Sequence, residues 1–370
     1  MLRVLMLITD LQKGGTPLRL VRTARRLPDV GVRPIVASLA REGPLAADLR
    51  AAGIDAFSCG ARHRLDAGCL PRLARLIRDL DPDLVHATLF HANLAARAVG
   101  RLDRARPIIT ASATIEVERP LHRLLESLTC RASDRHLANS RAVARHLVKD
   151  LGFPAQRVAV VPNVLDLDAL DRATPIDRMG ENLPPDVPLL VWAGRMDPVK
   201  RLPLLVRALA CLKRSIDFRA VLLGDGPHRR SVESAVRDGG LTGFVRLPGW
   251  RDDVARWLKS AEVFVLPSRT EGAPNALLEA MACGCCVVAS DIPACREALD
   301  PGVTGLLCDA DDPEPYAEAI LALLHDPVRR QSMAQAAGVC VQTHHNPQTI
   351  VARLADLYRS TVADARTLPR

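Results

Sequence analysis

Short apolar runs alternate with amphipathic segments through the first 165 residues. Seven runs predict buried strands: RVLMLIT, RPIVASL, DAFSCG, DLVHATL, PIITASA, DRHLANS and VAVVPN. The segments between them, such as PLRLVRTARRL and LHRLLESLTCRA, carry apolar residues at helical spacing. Continuous apolar strands that alternate with amphipathic helices indicate a parallel sheet covered on both faces.

The same pattern starts again after residue 187. Residues 166–187 are rich in Asp and Pro and lack apolar periodicity, which predicts a linker. Further strands are then predicted at PLLVWAG, FRAVLLG, FVRLPG, EVFVLP, CVVAS and TGLLC. We therefore predict an α/β chain of two doubly wound, Rossmann-like domains, residues 1–165 and 188–345, and a C-terminal helix over 346–370. Such sheets bind ligands at the carboxyl ends of their strands, so we expect a central ligand cleft between the domains.

Composition is that of an intracellular globular protein. The chain has 370 residues and is 48% hydrophobic, enough for a core in each half. Most of its ten cysteines lie inside apolar runs, and the pair Cys283 and Cys286 has no second pair nearby, so we expect reduced thiols and no zinc. No apolar run reaches the ~18 residues of a membrane span, and no signal peptide is evident. We expect a cytoplasmic protein whose membrane contact, if any, is peripheral at the inner face.

Charge is distributed unevenly along the chain. The net charge is +8, and residues 1–165 hold 26 Lys and Arg against 15 Asp and Glu, whereas residues 166–370 hold 24 against 27. The basic half suits an anionic membrane surface or a phosphate-bearing acceptor, and solvated helix faces are the alternative explanation. Aromatic residues make up only 3%, and no basic run is interleaved with them, so nucleic acid is not an expected partner.

The segment from Ser268 to Ala289, SRTEGAPNALLEAMACGCCVVA, holds the strongest candidate site. It predicts a strand end, a tight loop, a helix and a further strand. Backbone N–H groups of the loop and the positive end of the helix dipole favour an anion there. Glu271 lies on the loop, and Glu279 is expected two turns along the helix. Two carboxylates that can accept hydrogen bonds from hydroxyl groups, beside an anion site, indicate a sugar nucleotide as ligand.

This arrangement resembles the E-x7-E motif of retaining glycosyltransferases of family four, which have the GT-B fold. The resemblance implies that Glu279 accepts hydrogen bonds from the ribose hydroxyls and that Glu271 contacts the donor sugar. It also implies that the loop backbone holds sugar hydroxyls and phosphate, through Gly272, Ala273, Pro274 and Asn275. The similarity covers nearly the whole chain and is strongest over residues 188–310. The resemblance also implies that the C-terminal helix over 346–370 packs back on the first domain.

Two cations follow the first strand of the second domain. Gly194 and Arg195 come directly after it, and Lys200 follows in the same loop. Arg offers a planar fork and Lys a mobile point charge, so the pair could neutralise a diphosphate without a metal. The family pattern is G-R-x4-K-G, and Arg201 replaces its last glycine here. We expect no cofactor and no essential metal.

Glycines at other strand ends add weaker signals. Gly15 follows the first strand, where a missing side chain lets a phosphate approach the backbone. Gly224, Asp225 and Gly226 form a G-x-G whose third dinucleotide-fingerprint glycine would fall at Arg229, which argues against NAD. In the resembling family the matching loop lies close to the nucleotide, and the stretch around Arg251 resembles the segment that brackets the base.

The first domain departs from the family at one point. Many members carry H-x-H after the fourth strand, and the second His contacts the donor sugar. Here His86 is followed by Ala87 and Thr88, and His91 opens the next helix. Either His91 or Thr88 is expected to face the sugar, and a helix cap is the plain alternative for His91. Asn139-Ser140 and Pro162-Asn163 also match family strand ends and are expected to be structural.

The resemblance implies a retaining transfer of a hexose-type sugar from a nucleoside diphosphate sugar, UDP by default. The acceptor would be a hydroxyl of a glycan or of a polyprenyl-diphosphate-linked glycan in the biosynthesis of an exopolysaccharide or another polysaccharide. Glu271, Arg195, Lys200 and His91 would lie at the reacting centre. Two alternatives stay open: a nucleotide-sugar epimerase of the same fold, and a non-catalytic protein that binds sugar nucleotides in a polysaccharide assembly.

Overall fold

The chain forms two compact units. The computed structural model describes residues 1–63, 66, 68–102, 106–113 and 120–367. The first unit comprises Met1–Leu165 together with Pro347–Arg370, and the second comprises Asp166–Asn346. Each unit holds one parallel β-sheet, of seven strands in the first and six in the second.

The N-terminal part of the first unit alternates strand and helix as the hydrophobic pattern predicts. Its strands are β1 Leu2–Ile8, β2 Val32–Ala40, β3 Ala56–Ala61, β4 Leu84–Thr88, β5 Ile108–Ser112, β6 Arg135–Ala138 and β7 Val158–Val160. Its helices are α1 Gly15–Arg26, α2 Leu45–Ala51, α3 Cys69–Leu80, α4 Phe90–Leu102, α5 Pro120–Thr129 and α6 Arg141–Lys149.

The second unit repeats the same plan. Its strands are β8 Leu189–Ala193, β9 Arg219–Leu223, β10 Val245–Gly249, β11 Val263–Leu266, β12 Cys286–Ser290 and β13 Leu306–Cys308. Its helices are α7 Leu167–Arg172, α8 Leu202–Leu212, α9 Arg229–Asp238, α10 Val254–Ser260, α11 Asn275–Ala282, α12 Pro293–Ala298, α13 Glu314–His325 and α14 Pro327–His344. The last helix of the chain, α15 Pro347–Thr367, returns to the first unit.

Both sheets are doubly wound. The strand order is β3-β2-β1-β4-β5-β6-β7 in the first unit and β10-β9-β8-β11-β12-β13 in the second. In each sheet the order reverses direction beside the first strand, β1 or β8. The α/β class with two Rossmann-like sheets, predicted from the apolar periodicity, is confirmed.

The alternation of side chains along β1 shows how the first sheet is covered. Val4, Met6 and Ile8 belong to one buried cluster, which also contains residues of α1 and α15. Leu5 and Leu7 point to the opposite face and join a second cluster with residues of α3 and α4. A strand segment buried on both faces must be apolar at every position, which explains the unbroken run VLMLI over residues 4–8.

Helix α15 completes the core of the first unit. Its apolar face carries Ile350, Val351, Leu354, Tyr358 and Val362, all at most 7% exposed, at spacings of one helical face. These side chains pack in the same cluster as Val4 and Met6 of β1. Residues from the two ends of the described chain therefore share one hydrophobic core.

The segment 166–187, predicted to be a linker, contains structure of its own. Its helix α7 is capped by Asp166, whose side chain accepts a hydrogen bond of 3.3 Å from the Ala169 backbone N–H. Further along, Arg178 forms an ion pair of 2.9 Å with Glu262 at the start of β11. The contact of Arg178 with Glu262 attaches the segment to the rest of the second unit, although its composition lacks apolar periodicity.

Within the described residues, no helix is both long enough and apolar enough to cross a membrane.

Candidate functional site

The reversal of strand order in the second unit brings two loops together. Strand β8 pairs with β9 on one side and with β11 on the other, so the loops after β8 and β11 leave the sheet side by side. The backbone N–H of Arg269, in the second loop, donates a hydrogen bond of 2.8 Å to the carbonyl of Val199 in the first. Doubly wound sheets bind ligands at this kind of switch point.

Lys200 and Glu271 meet between these two loops. The Nζ of Lys200 lies 2.5 Å from Oε1 of Glu271, and the two side chains are 22% and 10% exposed. The hydroxyl of Ser268, which is fully buried, donates to the same oxygen at 2.7 Å. The glutamate is thus oriented by two donors, as expected of an ionised carboxylate that is mostly removed from water. The structure brings together two residues that the sequence places 71 positions apart.

The other cations of the first loop have different surroundings. Arg195 is 71% exposed and forms an ion pair of 3.1 Å with Asp197. Arg201 has a positive φ of 51°, a conformation that favours glycine, and pairs with Asp311 at 2.7 Å. The left-handed backbone explains why the resembling family has glycine at this position. Arg195 is the cation of this loop that solvent reaches most freely.

The glycines of this edge are explained by contacts between neighbouring loops. A Cβ on Gly224 would lie 1.9 Å from the carbonyl oxygen of Gly194, and one on Gly226 would lie 2.7 Å from the backbone nitrogen of Met196. The Met196 N–H donates to the carbonyl of Asp225 at 2.9 Å. The absence of side chains therefore lets the loops after β8 and β9 pack backbone to backbone, whether or not a ligand also approaches them.

Arg251 is held inside the second unit. Its guanidinium contacts both oxygens of Asp253 at 2.8 Å and Oε1 of Glu181 at 3.2 Å, and it lies over the ring of Trp257. Hydrogen bonding to Asp253 raises its pKa, although burial acts in the opposite direction. The side chain that the sequence assigns to the donor site is thus already engaged with two carboxylates.

Helix α11 begins at Asn275, directly after the loop Gly272–Pro274. Gly272 and Pro274 are buried, whereas Asn275 and Glu279 are half-buried. Glu279 is four residues, little more than one turn, from the start of the helix at Asn275, and not two turns along it as expected. The two glutamates of the motif are therefore carried by a loop and by the second turn of the helix that follows it.

In the first unit, the strand order reverses between β1 and β4. Gly15 opens α1 after β1, and a Cβ added there would meet no atom within 4 Å. Thr88 is the last residue of β4 and is buried, and Leu89 has a φ of 77° before α4 begins. A non-glycine residue in this conformation is strained by roughly 1–2 kcal/mol.

His91 belongs to the first turn of α4 and lies in a small group of rings. Its ring is edge-on to Phe90 with centroids 5.1 Å apart, and to His122 at 5.8 Å. Phe90 stacks on His122 with centroids 3.9 Å apart. Two residues therefore remain candidates to face a sugar. His91 offers a half-buried ring in this group, and Thr88 offers a buried hydroxyl at the end of the strand.

His86 has a role that the sequence did not indicate. It is 6% exposed, and its Nδ1 lies 2.6 Å from the hydroxyl of Tyr358 on α15. Burial, with a smaller contribution from Arg19, lowers its pKa to about 3, so the ring is neutral. The contact spans 272 positions, and no local pattern in the sequence could have indicated it.

Among the described residues, no group of three or more His, Cys, Asp or Glu side chains is placed to hold a metal ion. The ten cysteines are free, and Cys283, Cys285 and Cys286 are buried or half-buried where α11 leads into β12. Burial raises the pKa of Cys286 to about 11, so its thiol is protonated at neutral pH.

Both units match known families. The family model described as "Glycosyltransferase Family 4" matches residues 13–169, and the one described as "Glycosyl transferases group 1" matches residues 187–326. Together the two matches leave out residues 1–12, 170–186 and 327–370, the last of which contain α14 and α15.

Curated relatives and solved structures agree with these matches. A protein of Catenulispora acidiphila named "D-inositol 3-phosphate glycosyltransferase 1" is 29% identical, over 96% of this chain and 93% of its own length. A D-inositol 3-phosphate glycosyltransferase of Kineococcus radiotolerans is 35% identical, over 65% of this chain and 60% of its own.

Among solved structures, Anabaena HepE in complex with UDP is 21% identical, with a TM-score of 0.86 over 97% of this chain and all of that one. Sucrose-phosphate synthase of Thermosynechococcus elongatus is 20% identical, with a TM-score of 0.83 over 98% of this chain and all of that one. The two family matches and the two doubly wound sheets identify the chain as a glycosyltransferase of the GT-B fold, related to glycosyltransferase group 1 and family 4.

Proposed function

We propose that the chain transfers a hexose-type sugar from a nucleoside diphosphate sugar, UDP by preference, to a hydroxyl group with retention at the anomeric carbon. The donor would bind at the loops after β8 and β11 of the second unit. The observation that carries this proposal is the contact of Lys200, Glu271 and Ser268 at the switch point of that sheet.

The polar groups of this edge suit the parts of such a donor. Lys200 and the exposed fork of Arg195 would neutralise the diphosphate, and the start of α11 would add backbone donors. Glu271 presents Oε1 to Lys200 and Ser268, and its Oε2 makes no hydrogen bond within the described residues. That oxygen would accept from a sugar hydroxyl, while Glu279 would accept from the ribose.

The reaction that fits these groups needs no protein nucleophile. The bond between the anomeric carbon and the diphosphate oxygen breaks, the bond to the acceptor oxygen forms on the same face, and the acceptor proton passes to the leaving phosphate. The protein positions the reactants and stabilises charge on the diphosphate. Since two cations serve that purpose, we expect transfer to persist in EDTA.

For the acceptor we propose the hydroxyl of a glycan or of a lipid-linked glycan. The basic character of residues 1–165 supports an acceptor that carries phosphate. The curated relatives named as D-inositol 3-phosphate glycosyltransferases favour a phosphorylated cyclitol as a second candidate. Release of UDP from UDP-glucose and UDP-N-acetylglucosamine, measured with each acceptor class in turn, would separate the two candidates.

A peripheral association with an anionic membrane would fit a lipid-linked acceptor. Helix α5 exposes Leu121, Leu124 and Leu128, which are 62%, 54% and 70% exposed and share one helical face. Replacing the three leucines by serine should reduce co-sedimentation with vesicles of anionic lipid several-fold, because less apolar surface enters the interface. Equal sedimentation of both forms would rule out this surface as the contact.

The donor site can be tested with nucleotides alone. A ligand that binds only the native state raises the melting temperature. We expect UDP to stabilise the wild-type protein with and without EDTA, and we expect Glu279→Ala to weaken UDP binding at least tenfold, because it removes the carboxylate proposed to hold the ribose. Lys200→Met should lower kcat/KM by more than the tenfold expected for UDP binding in Glu279→Ala, since it removes a positive charge from the diphosphate site.

Glu318→Ala is the matched control, since Glu318 is an exposed glutamate on helix α13 of the same unit. Undiminished UDP affinity in Glu279→Ala would contradict the ribose assignment. If GDP or ADP raised the melting temperature and UDP did not, the location of the donor site would stand and the nucleotide of the donor would be a different one.

A further inference from the structure

The first unit contains a cavity to which the donor site proposed in the second unit contributes no residue. It has a volume of about 60 Å³ and lies at the carboxyl ends of β4 to β7, beneath α1 and α15. Most of its lining is apolar, but seven polar residues reach it: Arg19, Thr23, His86, Thr88, Ser112, Asn139 and Asn163. All its lining residues belong to the first unit.

Arg19 brings a positive charge to this cavity without a negative partner. Its guanidinium donates to the side-chain oxygen of Asn163, and it forms no ion pair within the part of the chain that the structure describes. No carboxylate is among the residues that line the cavity. Although Arg19 is partly exposed, its environment is buried enough to lower its pKa to about 10. A charge in such surroundings is costly unless an opposite charge accompanies it.

Two further side chains present polar atoms that lack partners. His86 and Asn139 are 6% and 7% exposed, and neither Nε2 of His86 nor Oδ1 of Asn139 makes a hydrogen bond within the described residues. The other nitrogen of His86 is engaged by Tyr358, and Nδ2 of Asn139 donates to the Ala113 carbonyl at 3.3 Å. Buried polar atoms are rarely left unsatisfied in native proteins, so these two point to an occupant of the cavity.

Water alone would satisfy these atoms but not the charge. A cavity of this volume holds two or three water molecules or one tetrahedral oxyanion. An oxyanion would pair with Arg19, accept from the hydroxyls of Thr88 and Ser112, and donate to Asn139 through the one proton that phosphate keeps near neutral pH. We propose that this cavity is a binding site for a small oxyanion of phosphate size.

The phosphate has two possible sources: free phosphate in solution, or a phosphate group carried by an acceptor molecule. Both would use the same contacts with Arg19. Binding of inorganic phosphate tests the site itself and does not depend on the proposed sugar transfer, and UDP binding is measured alongside to keep the two proposals separate.

The experiment is a calorimetric titration of the full chain with sodium phosphate at constant ionic strength, using chloride as the balancing anion. Arg19→Met removes the charge but keeps much of the side-chain volume. Arg25→Met is its control, because Arg25 lies on the same helix, is exposed, and contacts the Asp48 carbonyl away from the cavity. We expect phosphate to bind the wild type and Arg25→Met equally, and Arg19→Met at least tenfold more weakly, with UDP binding unchanged in all three.

Should Arg19→Met fail to fold, Thr88→Val tests the same site by removing one hydroxyl at nearly constant volume, and we expect a loss of at least threefold. An absence of phosphate binding in the wild type, or equal binding in Arg19→Met, would overturn the proposal and leave a hydrated void. The two sources are separated by kinetics: if the acceptor supplies the group, free phosphate competes with a phosphorylated acceptor, and if solution supplies it, phosphate alters the rate without competing.

Discussion

His86 illustrates how a residue's surroundings set its chemistry. Histidine ordinarily titrates near pH 6.5, but this ring is enclosed by the first unit and shares a hydrogen bond with Tyr358. His136 of β6 is in a similar position, since burial and the nearby Arg97 lower its pKa to about 3. Both rings must therefore stay neutral while the first unit is folded.

These two histidines predict a dependence of stability on pH. Because the folded pKa is about 3 and the unfolded pKa about 6.5, the unfolded chain binds protons first as the pH falls. Their contribution is complete above about pH 6.5 and is lost progressively towards pH 3. Each should reduce the free energy of unfolding by about 2 kcal/mol between pH 7 and pH 5.

The measurement is a urea titration at pH 7 and pH 5 on the wild type and His86→Gln. The variant should lose about 2 kcal/mol less between the two pH values, whatever its stability at pH 7. An identical loss in both proteins would mean that His86 is accessible to protons in the folded state.

At this scale the sequence indicated the chemistry of the second unit better than that of the first. Glu271 and Lys200 could be singled out because they follow predicted strands, and Gly224 because a loop at a strand end favours glycine. The roles of Arg19 and His86 could not be predicted in this way. Arg19 matters because it lines a cavity, and His86 because it contacts Tyr358 from the far end of the chain. The pairing of Arg251 with Glu181 was missed for the same reason.

Among the elements, α15 is the one whose removal should have the largest effect. It buries Ile350, Val351, Leu354, Tyr358 and Val362 against the sheet of the first unit. At about 2 kcal/mol for each side chain, the loss is roughly 10 kcal/mol, comparable with the whole stability of a domain.

Deletion of residues 347–370 should therefore unfold the first unit while the second keeps its structure. Loss of protection from hydrogen exchange in β1 and β4, with protection retained in β8 and β11, is the expected result. Replacement of exposed Arg353 and Asp356 of α15 by alanine is the control and should leave the exchange pattern unchanged. Retained protection in β1 after the deletion would show that the sheet is stable without this cover.

Element boundaries were predictable where apolar periodicity was strong. The strands of both sheets follow the runs identified in the sequence, because a buried parallel strand needs apolar residues on both faces. Helix α7 was missed, since its six residues offer only one pair of leucines at helical spacing, Leu167 and Leu170, and its start is marked only by Asp166. The start of α11 was placed one residue too late, because Asn275 was assigned to the loop although it opens the helix directly after Pro274.

For the whole molecule, the division into units differs from the order of the sequence. The second unit is one continuous segment, whereas the first combines two segments from either side of it. The hydrophobic pattern indicated two sheets. Periodicity alone does not determine which of the two units the last helix packs against.

Residues 166–346, produced alone, should fold into a stable unit that binds UDP. Its core contains Trp192, Phe218 and Tyr316 together with residues of α8 and α13, all from within the segment. Thermal unfolding of this fragment with and without UDP is the measurement, and a cooperative transition that UDP raises is the expected result. Failure to bind UDP in a folded fragment would mean that the donor site needs groups from residues 1–165 or 347–370.

The placement of α15 in the first unit also sets an order of events during synthesis. Domains usually fold as they leave the ribosome, the N-terminal one first. Here β1 to β7 emerge early but must wait for residues 347–367, which leave after the whole of the second unit has been made. The middle of the chain can therefore finish folding before its beginning, and during that interval the apolar face of the first sheet is the surface most in need of protection by chaperones.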